Sequence, residues 1–349
     1  MNFNIEKYLS KDLQELIDLA KTYYENSDMT DSSYLNWQYF NNPNGAPYLF
    51  IGRNISANEI AGQYLVIPIT LNYFNNKKSA SLSLNTLTSP KYQGNGLFTK
   101  MARETYKDCA VENIDITIGF PNPNSYPGFI RKLEFEHLGN VPLLIKPINI
   151  FGIIKSFFKK RKIKHGKAIN YDTVNSSKYL KFDFASVEHK KKYDSFWAKV
   201  KNKYQISFNK DYEFINWRYH LLPTRNYQIY FSEENGEIVD FLITKTTKVW
   251  GYRVGLIMDF MTIHQAPNIS LILKYFYRIA NSNNIDFIAC LHSDNHESKI
   301  LKKNGFYKFP EKFLPQQIHF IVRNNTGFSD IRAFDMKNWK LTFGDYDVF

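Results

Sequence analysis

The sequence has little cysteine and no long apolar run. Only two of its 349 residues are cysteines, Cys109 and Cys290, and they stand far apart in ordinary apolar segments. This excludes a disulfide framework and a CxxC metal site, so we expect two buried free thiols. No stretch reaches the ~20 uncharged apolar residues of a membrane helix, and the amino terminus carries acids where a signal peptide has an apolar core. We therefore expect a cytoplasmic protein without a transmembrane segment.

The composition is that of a folded, basic, two-domain protein. Apolar residues make up 44% of the chain, which excludes a disordered tail, and its length fits two domains of roughly 150 residues. Lys and Arg exceed Asp and Glu by 12 charges. Such a balance favours acidic partners, but nucleic acid, an anionic membrane and phosphorylated small ligands would all satisfy it.

The chain contains an internal repeat. Tyr34–Tyr39 (YLNWQY) is echoed 180 residues later as Phe214–Tyr219 (FINWRY). Two further pairs follow in the same order at slightly smaller offsets, Glu59–Gly62 with Glu237–Asp240 and 133–135 with 304–306. This order predicts two copies of one domain. Trp37 and Trp217 are expected in the two cores, with the asparagine before each as a cap.

Both copies show the same alternation of strands and helices. In the first copy, periodicity predicts helices at 9–20, 97–110 and 128–133, and strands at 48–53, 59–71, 81–88, 114–120 and 143–147. The second copy repeats this with strands at 254–262, 285–291 and 317–322 and helices at 269–281 and 297–304. The prediction is an α/β fold of two tandem domains, each a mixed sheet with helices on both faces. The expected ranges are 1–150 and 176–349, joined by a basic linker at 151–175.

The turn after the strand 81–88 is the strongest signal for a ligand. It reads TSPKYQGNGLF over Thr88–Phe98, between a strand and the start of a helix. Gly94 and Gly96 remove the β-carbons that would keep a ligand off the backbone, and the next amides begin the helix. Free amides and the positive end of the helix dipole form a site for a pyrophosphate. The turn is neither GxGxxG nor GxxxxGK[ST], and alone it is a weak motif.

This turn resembles motif A of the GNAT superfamily of acyl-CoA-dependent N-acyltransferases, [QR]xxGx[GA], with Lys91 at the Gln or Arg position. The strand 114–120 followed by Asn122, Ser125 and the segment 129–135 is similar to the family's motif B. The resemblance covers residues ~30 to 147 and implies acyl-coenzyme A as co-substrate, with no metal. It implies that the strand residues Leu87 and Thr88 contact the acyl and pantetheine parts, and that Asn122 and Ser125 of motif B line the pantetheine and adenine side. It also implies that the backbone amides of the turn hold the pyrophosphate: Gln93, Gly94, Asn95, Gly96, Leu97 and Phe98.

The sequence departs from the family at two places. The tyrosine that commonly protonates the leaving thiolate aligns with Phe129, which has no proton to donate. Tyr126, three residues earlier, is an alternative donor or a wall residue. The second copy has Ile263–Asn268 (IHQAPN), without glycine, where a phosphate turn would lie. We therefore expect one cofactor site, in the amino-terminal copy, with the second copy serving acceptor binding and scaffolding.

Polar residues within apolar strands are candidates for the transfer chemistry. Asp259 interrupts the strand GLIMDFMT and aligns with Asn85 of the first copy, while His292 follows the strand IDFIACL. The carboxyl ends of adjacent strands are common ligand positions in open α/β sheets. Asp259, His292 and Asn85 are therefore candidates for acceptor contact or proton transfer. A strand Asp held by local partners and a structural His are the alternatives, and many GNAT enzymes use a water chain as base.

Three functions fit these features. The two-domain length and the tail 338–347 resemble GNAT enzymes that acylate a nucleotide-linked amino sugar, for example one linked to dTDP, for surface polysaccharide. The acyl group would be acetyl or a short hydroxyacyl group. Aminoacyl transfer from tRNA, as in Fem-type enzymes, and a non-catalytic acyl-CoA-binding module are the alternatives. For the first we expect a monomer or weak homo-oligomer and no specific nucleic acid. The basic run 155–167 reads either as a solvated linker helix or as a docking segment for an anionic surface.

Overall fold

The computed structural model describes residues 2–25, 27–158, 180–264, 271–293, 296–314 and 316–346. The basic run 155–167 and the second-copy turn 263–268 lie largely outside these residues. In chain order the first elements are β1 (Phe3–Lys7), α1 (Leu13–Lys21), α2 (Ser32–Phe40), β2 (Tyr48–Asn54), β3 (Glu59–Tyr73), β4 (Asn76–Thr88), α3 (Leu97–Val111), β5 (Ile116–Gly119), α4 (Tyr126–Lys132) and β6 (Glu136–Asn140). The chain continues with β7 (Leu143–Pro147), α5 (Ile150–Phe158), β8 (Leu180–Lys181), α6 (Val187–Val200), β9 (Ile206–Phe208), α7 (Tyr212–Ile215), β10 (Gln228–Glu234), β11 (Glu237–Val249), β12 (Tyr252–Thr262), α8 (Leu271–Ser282), β13 (Phe287–Leu291), α9 (His296–Lys303), β14 (Tyr307–Lys308) and β15 (His319–Asn324).

The chain divides into two compact units. The amino unit comprises Met1–Asn140, Leu221–Thr224 and Gln316–Met336, and the carboxyl unit comprises Val141–His220, Arg225–Pro315 and Lys337–Phe349. Unlike the expected ranges 1–150 and 176–349, neither unit is one continuous stretch. The reason is the last strand of each copy, which joins the sheet of the other unit.

Each unit contains one mixed sheet. In the amino unit the strand order is β1-β2-β3-β4-β5-β15-β6, with β4 and β5 parallel and the other neighbours antiparallel. The carboxyl unit has the order β14-β7-β13-β12-β11-β10-β8, with β12 and β13 as its parallel pair. The predicted α/β class with mixed sheets is confirmed. The strand 143–147, expected to complete the first copy, instead pairs with β13 as β7.

Three structural details match between the copies. Asp31 and Asp211, 180 residues apart, cap α2 and α7, because each carboxylate accepts a hydrogen bond from a backbone amide of the first helical turn. Trp37 and Trp217 are buried, as expected. Asn216 lies at the C-cap position of α7, whereas Asn36 lies inside α2 and caps neither end. Both copies also have a left-handed residue at the third repeat pair, Glu134 (φ +58°) and Gly305 (φ +87°). These details support the duplication.

In both sheets the parallel pair separates at a β-bulge. β4 pairs with β5 only as far as Ser83 and Gly119, and its register with β3 then shifts at Asn85, which has φ +49°. The β12–β13 pairing likewise stops at Ile257, next to the extra residue Met258. The sequence of Ser81–Thr88, SLSLNTLT, alternates strictly between apolar and polar residues as far as Asn85, but the inserted residue reverses the facing of those after it. Leu87 is consequently as buried as Leu82 and Leu84.

Each unit has its own apolar core. In the amino unit, α3 packs Leu97, Met101 and Tyr106 against the sheet together with Phe129 of α4. In the carboxyl unit, α8 packs Ile272, Phe276 and its neighbours on β12 and β13. Cys109 and Cys290 are free and buried within these cores, as expected. Burial raises the pKa of the Cys109 thiol to about 12, so this thiol stays protonated near neutral pH.

Candidate functional site

The turn between β4 and α3 is an open backbone cradle. Gly94 and Gly96 have φ of +81° and +72°, a conformation that side chains with a β-carbon rarely adopt. A β-carbon built on either glycine would meet no atom within 4 Å, and residues 93–96 are exposed. The helix follows immediately, and the amide of Lys100 is bonded back to Gly96 O at 3.1 Å. The amides before it, in the first turn of a 15-residue helix, lack helical partners, as the first amides of any α-helix do.

Side chains beneath the turn fix its shape. Tyr92 is buried, and its hydroxyl donates to Glu59 on β3. The ammonium of Lys91 pairs with the same carboxylate at 2.7 Å. Asn95 donates from Nδ2 to Tyr92 O at 3.0 Å. The cradle is thus held from its inner side, and the glycine side stays open.

The last residues of β4 have one edge that no strand covers, because β5 ends earlier than β4. Beyond the bulge, Leu87 and Thr88 still pair with β3, but β5 ends at Gly119 and does not cover their other edge. The Thr88 carbonyl accepts a hydrogen bond from the hydroxyl of Tyr23, which in turn accepts one from Gln93 Nε2 at 2.6 Å. At the bulge, Asn85 donates to Gln38, and its carbonyl accepts from Gln63. Sequence reasoning missed these partners of the predicted residues: Tyr23, Gln38 and Gln63.

The motif B residues form the start of α4. Asn122 Oδ1 accepts from the amides of Asn124 and Ser125, both at 3.0 Å, and the Ser125 hydroxyl lies 3.2 Å from the same oxygen. Phe129 is buried and packs against Phe98, with 5.5 Å between the ring centres. This contact packs α4 against α3, the helix that follows the cradle. Gly128 is needed there, because a β-carbon would lie 3.0 Å from the Phe98 ring.

Tyr126 lies in a cluster with two imidazoles. Its ring stacks on His319 of β15 at 4.3 Å and meets the edge of His137 at 5.4 Å. His319 Nδ1 lies 2.9 Å from Asn140 Oδ1, and since an amide oxygen only accepts, Nδ1 carries the proton. The cluster explains why Tyr126 keeps a defined orientation at the start of α4. The sequence could not indicate it, because His319 is nearly 200 residues away.

Asp259 lies in a fully buried ionic network of the carboxyl unit. Lys210, which follows β9, pairs with Asp259 and with Asp345, the latter at 2.9 Å, and all three side chains are at most 2% exposed. The Tyr219 hydroxyl donates to Asp259, and the Thr342 hydroxyl donates to it at 2.8 Å. Burial works against ionisation of Asp259, but Lys210 and Lys340 hold its pKa below the usual value. Burial and the neighbouring Asp259 raise the pKa of Asp345.

His292 lies in the same buried region. Burial, together with the charge of Lys340, lowers its pKa to about 4, so the imidazole is neutral near pH 7. Nδ1 lies 2.9 Å from Ser293 O, and Nε2 has no hydrogen-bond partner among the described residues. Lys340 stacks over the Tyr204 ring at 3.8 Å, and the Tyr204 hydroxyl donates to Glu297 at 2.6 Å.

The structure therefore groups the predicted residues into two sets. The cofactor residues, Asn85 and Tyr126 all belong to the amino unit, and Asp259 and His292 belong to the buried network of the carboxyl unit. Sequence reasoning missed Lys210 and the tail partners. One signal was present: Gly344 in the tail, where a β-carbon would come within 2.3 Å of the Asp259 carboxylate. The acceptor and proton-transfer roles of Asp259 and His292 stay predictions.

Among the described residues, no group of three or more His, Cys, Asp or Glu could hold a metal ion. None of the helices within those residues is both long and apolar enough to cross a membrane.

Comparison with protein families matches the part of the chain that contains the cradle. Residues 4–138 fit the model described as the acetyltransferase (GNAT) domain. This part of the chain is similar to a GNAT domain, and it includes the glycine turn, the bulge and α4. A search of curated protein sequences gave no significant match.

Solved structures extend the likeness to both halves of the chain. A GCN5-related N-acetyltransferase from Anabaena variabilis has a TM-score of 0.63 at 13% identity, covering 93% of this chain and 73% of that one. A probable N-acyltransferase of unknown function from Enterococcus faecalis has 0.62 at 10%, with the same two coverages. N-myristoyltransferase from Saccharomyces cerevisiae, solved with bound myristoyl-CoA, has 0.61 at 13%, covering 97% and 88%. At these identities the likeness is one of fold, and it identifies two GNAT-like halves.

Proposed function

We propose that this chain is an acyl-CoA-dependent N-acyltransferase whose GNAT domain binds the thioester. The observation that carries the proposal is the cradle: two left-handed glycines with free space above them, at the start of a long helix. The family match over residues 4–138 supports the same reading. The positive φ of both residues selects glycine, and the free space above them leaves room for a ligand.

The residues present fit coenzyme A. The first-turn amides of α3 suit the pyrophosphate, since they combine free donors with the positive end of the helix dipole. The uncovered edge of β4 at Leu87 and Thr88 offers backbone groups to the amides of the pantetheine arm. Asn122 and Ser125, at the start of α4, would line the same side. The bound thioester supplies an acyl group activated towards an amine.

Two proton movements accompany such a transfer, because the acceptor ammonium must lose a proton and the thiolate must gain one. We assign the second step to Tyr126, which lies three residues before Phe129 at the start of α4. Its stacking on His319 fixes the ring at the start of α4. Asn85, whose amide and carbonyl are both engaged at the bulge, positions the backbone of β4.

For the acceptor we infer the amine of a nucleotide-linked amino sugar, with acetyl or a short hydroxyacyl group as the acyl chain. The net charge of +12 supports two phosphorylated substrates, and the tail resembles that of such enzymes. The burial of both Asp259 and His292, together with the ion pair of Asp259 with Lys210, favours water rather than either side chain as the route for the amine proton. We expect a cytoplasmic enzyme that uses no metal.

Thermal shift with free coenzyme A tests the cradle. A ligand at 100 times its dissociation constant adds about 2.7 kcal/mol, which should raise the melting temperature by about 5 °C or more. Gly94→Trp and Gly96→Trp should abolish this shift, because the indole would occupy the ligand space. Gly327→Trp is the matched control: its φ is +76°, its β-carbon would also meet nothing within 4 Å, and it belongs to the same unit.

The outcomes separate the candidate functions. Equal shifts in all four proteins would place coenzyme A elsewhere and overturn the site. No shift in the wild type, together with tight, salt-sensitive binding of aminoacyl-tRNA, would favour the Fem-type alternative. A normal shift without thiol release from any acyl-CoA, tested with a panel of nucleotide-linked amino sugars, would indicate a non-catalytic binding module.

A further inference from the structure

The parallel strands of the two sheets separate at equivalent residues. In the amino unit the pairing of β4 with β5 ends at Ser83 and Gly119, and in the carboxyl unit the pairing of β12 with β13 ends at Ile257 and Cys290. These positions lie 174 (257 − 83) and 171 (290 − 119) residues apart, close to the offsets of the internal repeat. Each copy therefore has a gap beyond its parallel pair, which we call the first gap in the amino unit and the second gap in the carboxyl unit.

The first gap is the position that the proposed function gives to the pantetheine arm of the thioester. On its β4 side, Leu87 and Thr88 lie beyond the last residue of β4 that pairs with β5. Backbone donors and acceptors at separated strand ends need partners, because a buried polar group without one costs free energy. A pantetheine arm is an extended chain that contains amides, so it can supply such partners as an added strand does.

In the second gap these partners come from the tail of the chain itself. Thr342 forms an antiparallel bridge with His292, the residue after β13. Beside it, the Ser293 amide donates to Leu341 O at 3.0 Å, and the Leu341 amide donates to Ser293 Oγ at 2.9 Å. The tail therefore lies along the β13 side of the gap as an added strand would.

The same part of the tail also contacts β12. The Thr342 hydroxyl donates to the Asp259 carboxylate at 2.8 Å, and the Lys340 ammonium donates to Phe260 O at 3.4 Å. Gly344 lies so close to Asp259 that a β-carbon would overlap the carboxylate. Both β12 residues lie beyond the end of the parallel pairing. The tail is thus bonded to both of the strands that separate.

Burial and sequence agree with a gap that is permanently filled. The tail segment, which we define as residues 339–346, is buried throughout. The stretch of this copy where a pyrophosphate turn would lie, IHQAPN, has no glycine. A copy whose gap holds a peptide has no use for a phosphate site, whereas the amino copy has an open glycine cradle.

We propose that the tail segment is an internal ligand, which occupies in the carboxyl copy the place that the pantetheine arm takes in the amino copy. The carboxyl copy is thereby closed by its own chain, and the protein binds one coenzyme A rather than two. When the segment leaves, the second gap becomes a site for an extended ligand that contains amides, such as pantetheine. The identity of that ligand rests on the proposed function, whereas the position of the tail does not depend on it.

Release of the tail segment tests the proposal, with pantetheine as the probe because it is the arm without the nucleotide. Gly344→Val introduces a side chain where none fits, so the unfolding transition of the carboxyl unit, followed by tryptophan fluorescence, should fall by about 5 °C or more. Pantetheine at ten times its dissociation constant should then raise this transition by about 3 °C, and it should leave the wild type unchanged. Lys248→Val, at an exposed position of β11, is the control and should behave as the wild type does.

Two measurements on the wild type do not depend on the folding of a variant. Hydrogen exchange of the tail segment should be as slow as that of β12, because both belong to one buried structure. Equilibrium dialysis should give one bound coenzyme A per chain. If Gly344→Val does not fold, Gly344→Ala is the smaller change and should show the same response to pantetheine at a smaller loss of stability.

Three results would overturn the proposal. They are two coenzyme A molecules per wild-type chain, exchange of the wild-type tail segment as fast as that of an exposed loop, and no effect of pantetheine on a folded Gly344 variant whose tail segment exchanges rapidly. Absence of coenzyme A binding to the wild type would instead contradict the proposed function, and the exchange and pantetheine results would still decide between an internal ligand and a loose tail.

Discussion

Replacing Lys210 by Met removes the cation from the buried network of the carboxyl unit. Lys210 is 1% exposed, and its ammonium contacts Asp259, Asp345 and, at 2.9 Å, the Thr342 hydroxyl. Met has a similar length and shape, so the change adds no large cavity. It leaves two carboxylates, both without exposed side-chain surface, facing each other without their shared partner.

The expected loss of stability is large. Breaking a buried ion pair by removing one partner typically costs about 3–5 kcal/mol, because a charge stays buried without compensation. Two carboxylates depend on Lys210, so a value at the upper end, about 4–5 kcal/mol, is expected. Lys340 is also near Asp259, but burial lowers its own pKa, and it does not replace the direct contact. In a unit of this size the melting temperature should fall by about 10 °C or more.

Tryptophan fluorescence during unfolding by guanidinium measures this loss. Four of the five tryptophans, Trp197, Trp217, Trp250 and Trp339, belong to the carboxyl unit, so the signal reports mainly on that unit. Lys191→Met, at an exposed lysine of α6, is the control and should change stability by less than about 0.5 kcal/mol. A loss below about 1 kcal/mol for Lys210→Met would refute the reasoning, because the network would then be solvated or neutral.

The same network decides how Asp259 is to be interpreted. If its carboxylate serves the fold alone, Lys210→Met/Asp259→Asn should be more stable than the sum of the two single changes, since the double variant no longer has that unpaired charge. Thiol release per folded molecule should then stay close to that of the wild type. A large fall in turnover by correctly folded Asp259→Asn, with coenzyme A binding unchanged, would instead support the acceptor role.

Three further outcomes are expected. The folded-state pKa of His292 is about 4, below the 6.5 of the unfolded state. The contribution of the neutral imidazole to the free energy of unfolding is therefore complete above pH 6.5 and is lost as the pH falls towards 4. In unfolding titrations over that range, the wild type should lose about 3 kcal/mol more than His292→Asn. Tyr23→Phe should tighten coenzyme A binding about fivefold in calorimetry, since the hydroxyl competes for the Thr88 carbonyl; weaker binding would make Tyr23 a direct contact. Glu134→Gly should raise the free energy of unfolding by about 1 kcal/mol, because φ is +58° there, and a loss would show that its exposed pair with Arg323 matters more.

Local patterns predicted the elements well. The helix expected at 97–110 is α3 (Leu97–Val111), and the strand expected at 254–262 is β12 (Tyr252–Thr262). The cradle was equally accessible, since Gly94 and Gly96 act through their own backbone and require no distant partner. In contrast, the alternating pattern SLSLNTLT gave no sign of the bulge at Asn85, because its register is set by β3.

The residues around the sites were harder to predict, since their partners are distant in sequence. Lys210 reads as one more surface lysine until Asp259, 49 residues later, and Asp345 are beside it. The stacking of Tyr126 on His319 depends on a strand from the far end of the chain. The sequence shows which chemical groups a residue carries. The burial of that residue and its partners in the fold decide what those groups do.

The exchange of last strands shows most clearly where a sequence pattern reaches its limit. β7 and β15 are short strands at corresponding places in the two copies, and the hydrophobic pattern of each requires burial without selecting a neighbour. The open edges of β5 and β13 are alternatives of the same kind, so either could accept either strand. In the structure β15 lies between β5 and β6, and the sheet that supports the cradle is therefore completed by residues 319–324. A fragment ending at residue 150 would leave the edge of β5 unpaired, and coenzyme A binding must for that reason be measured on the full chain.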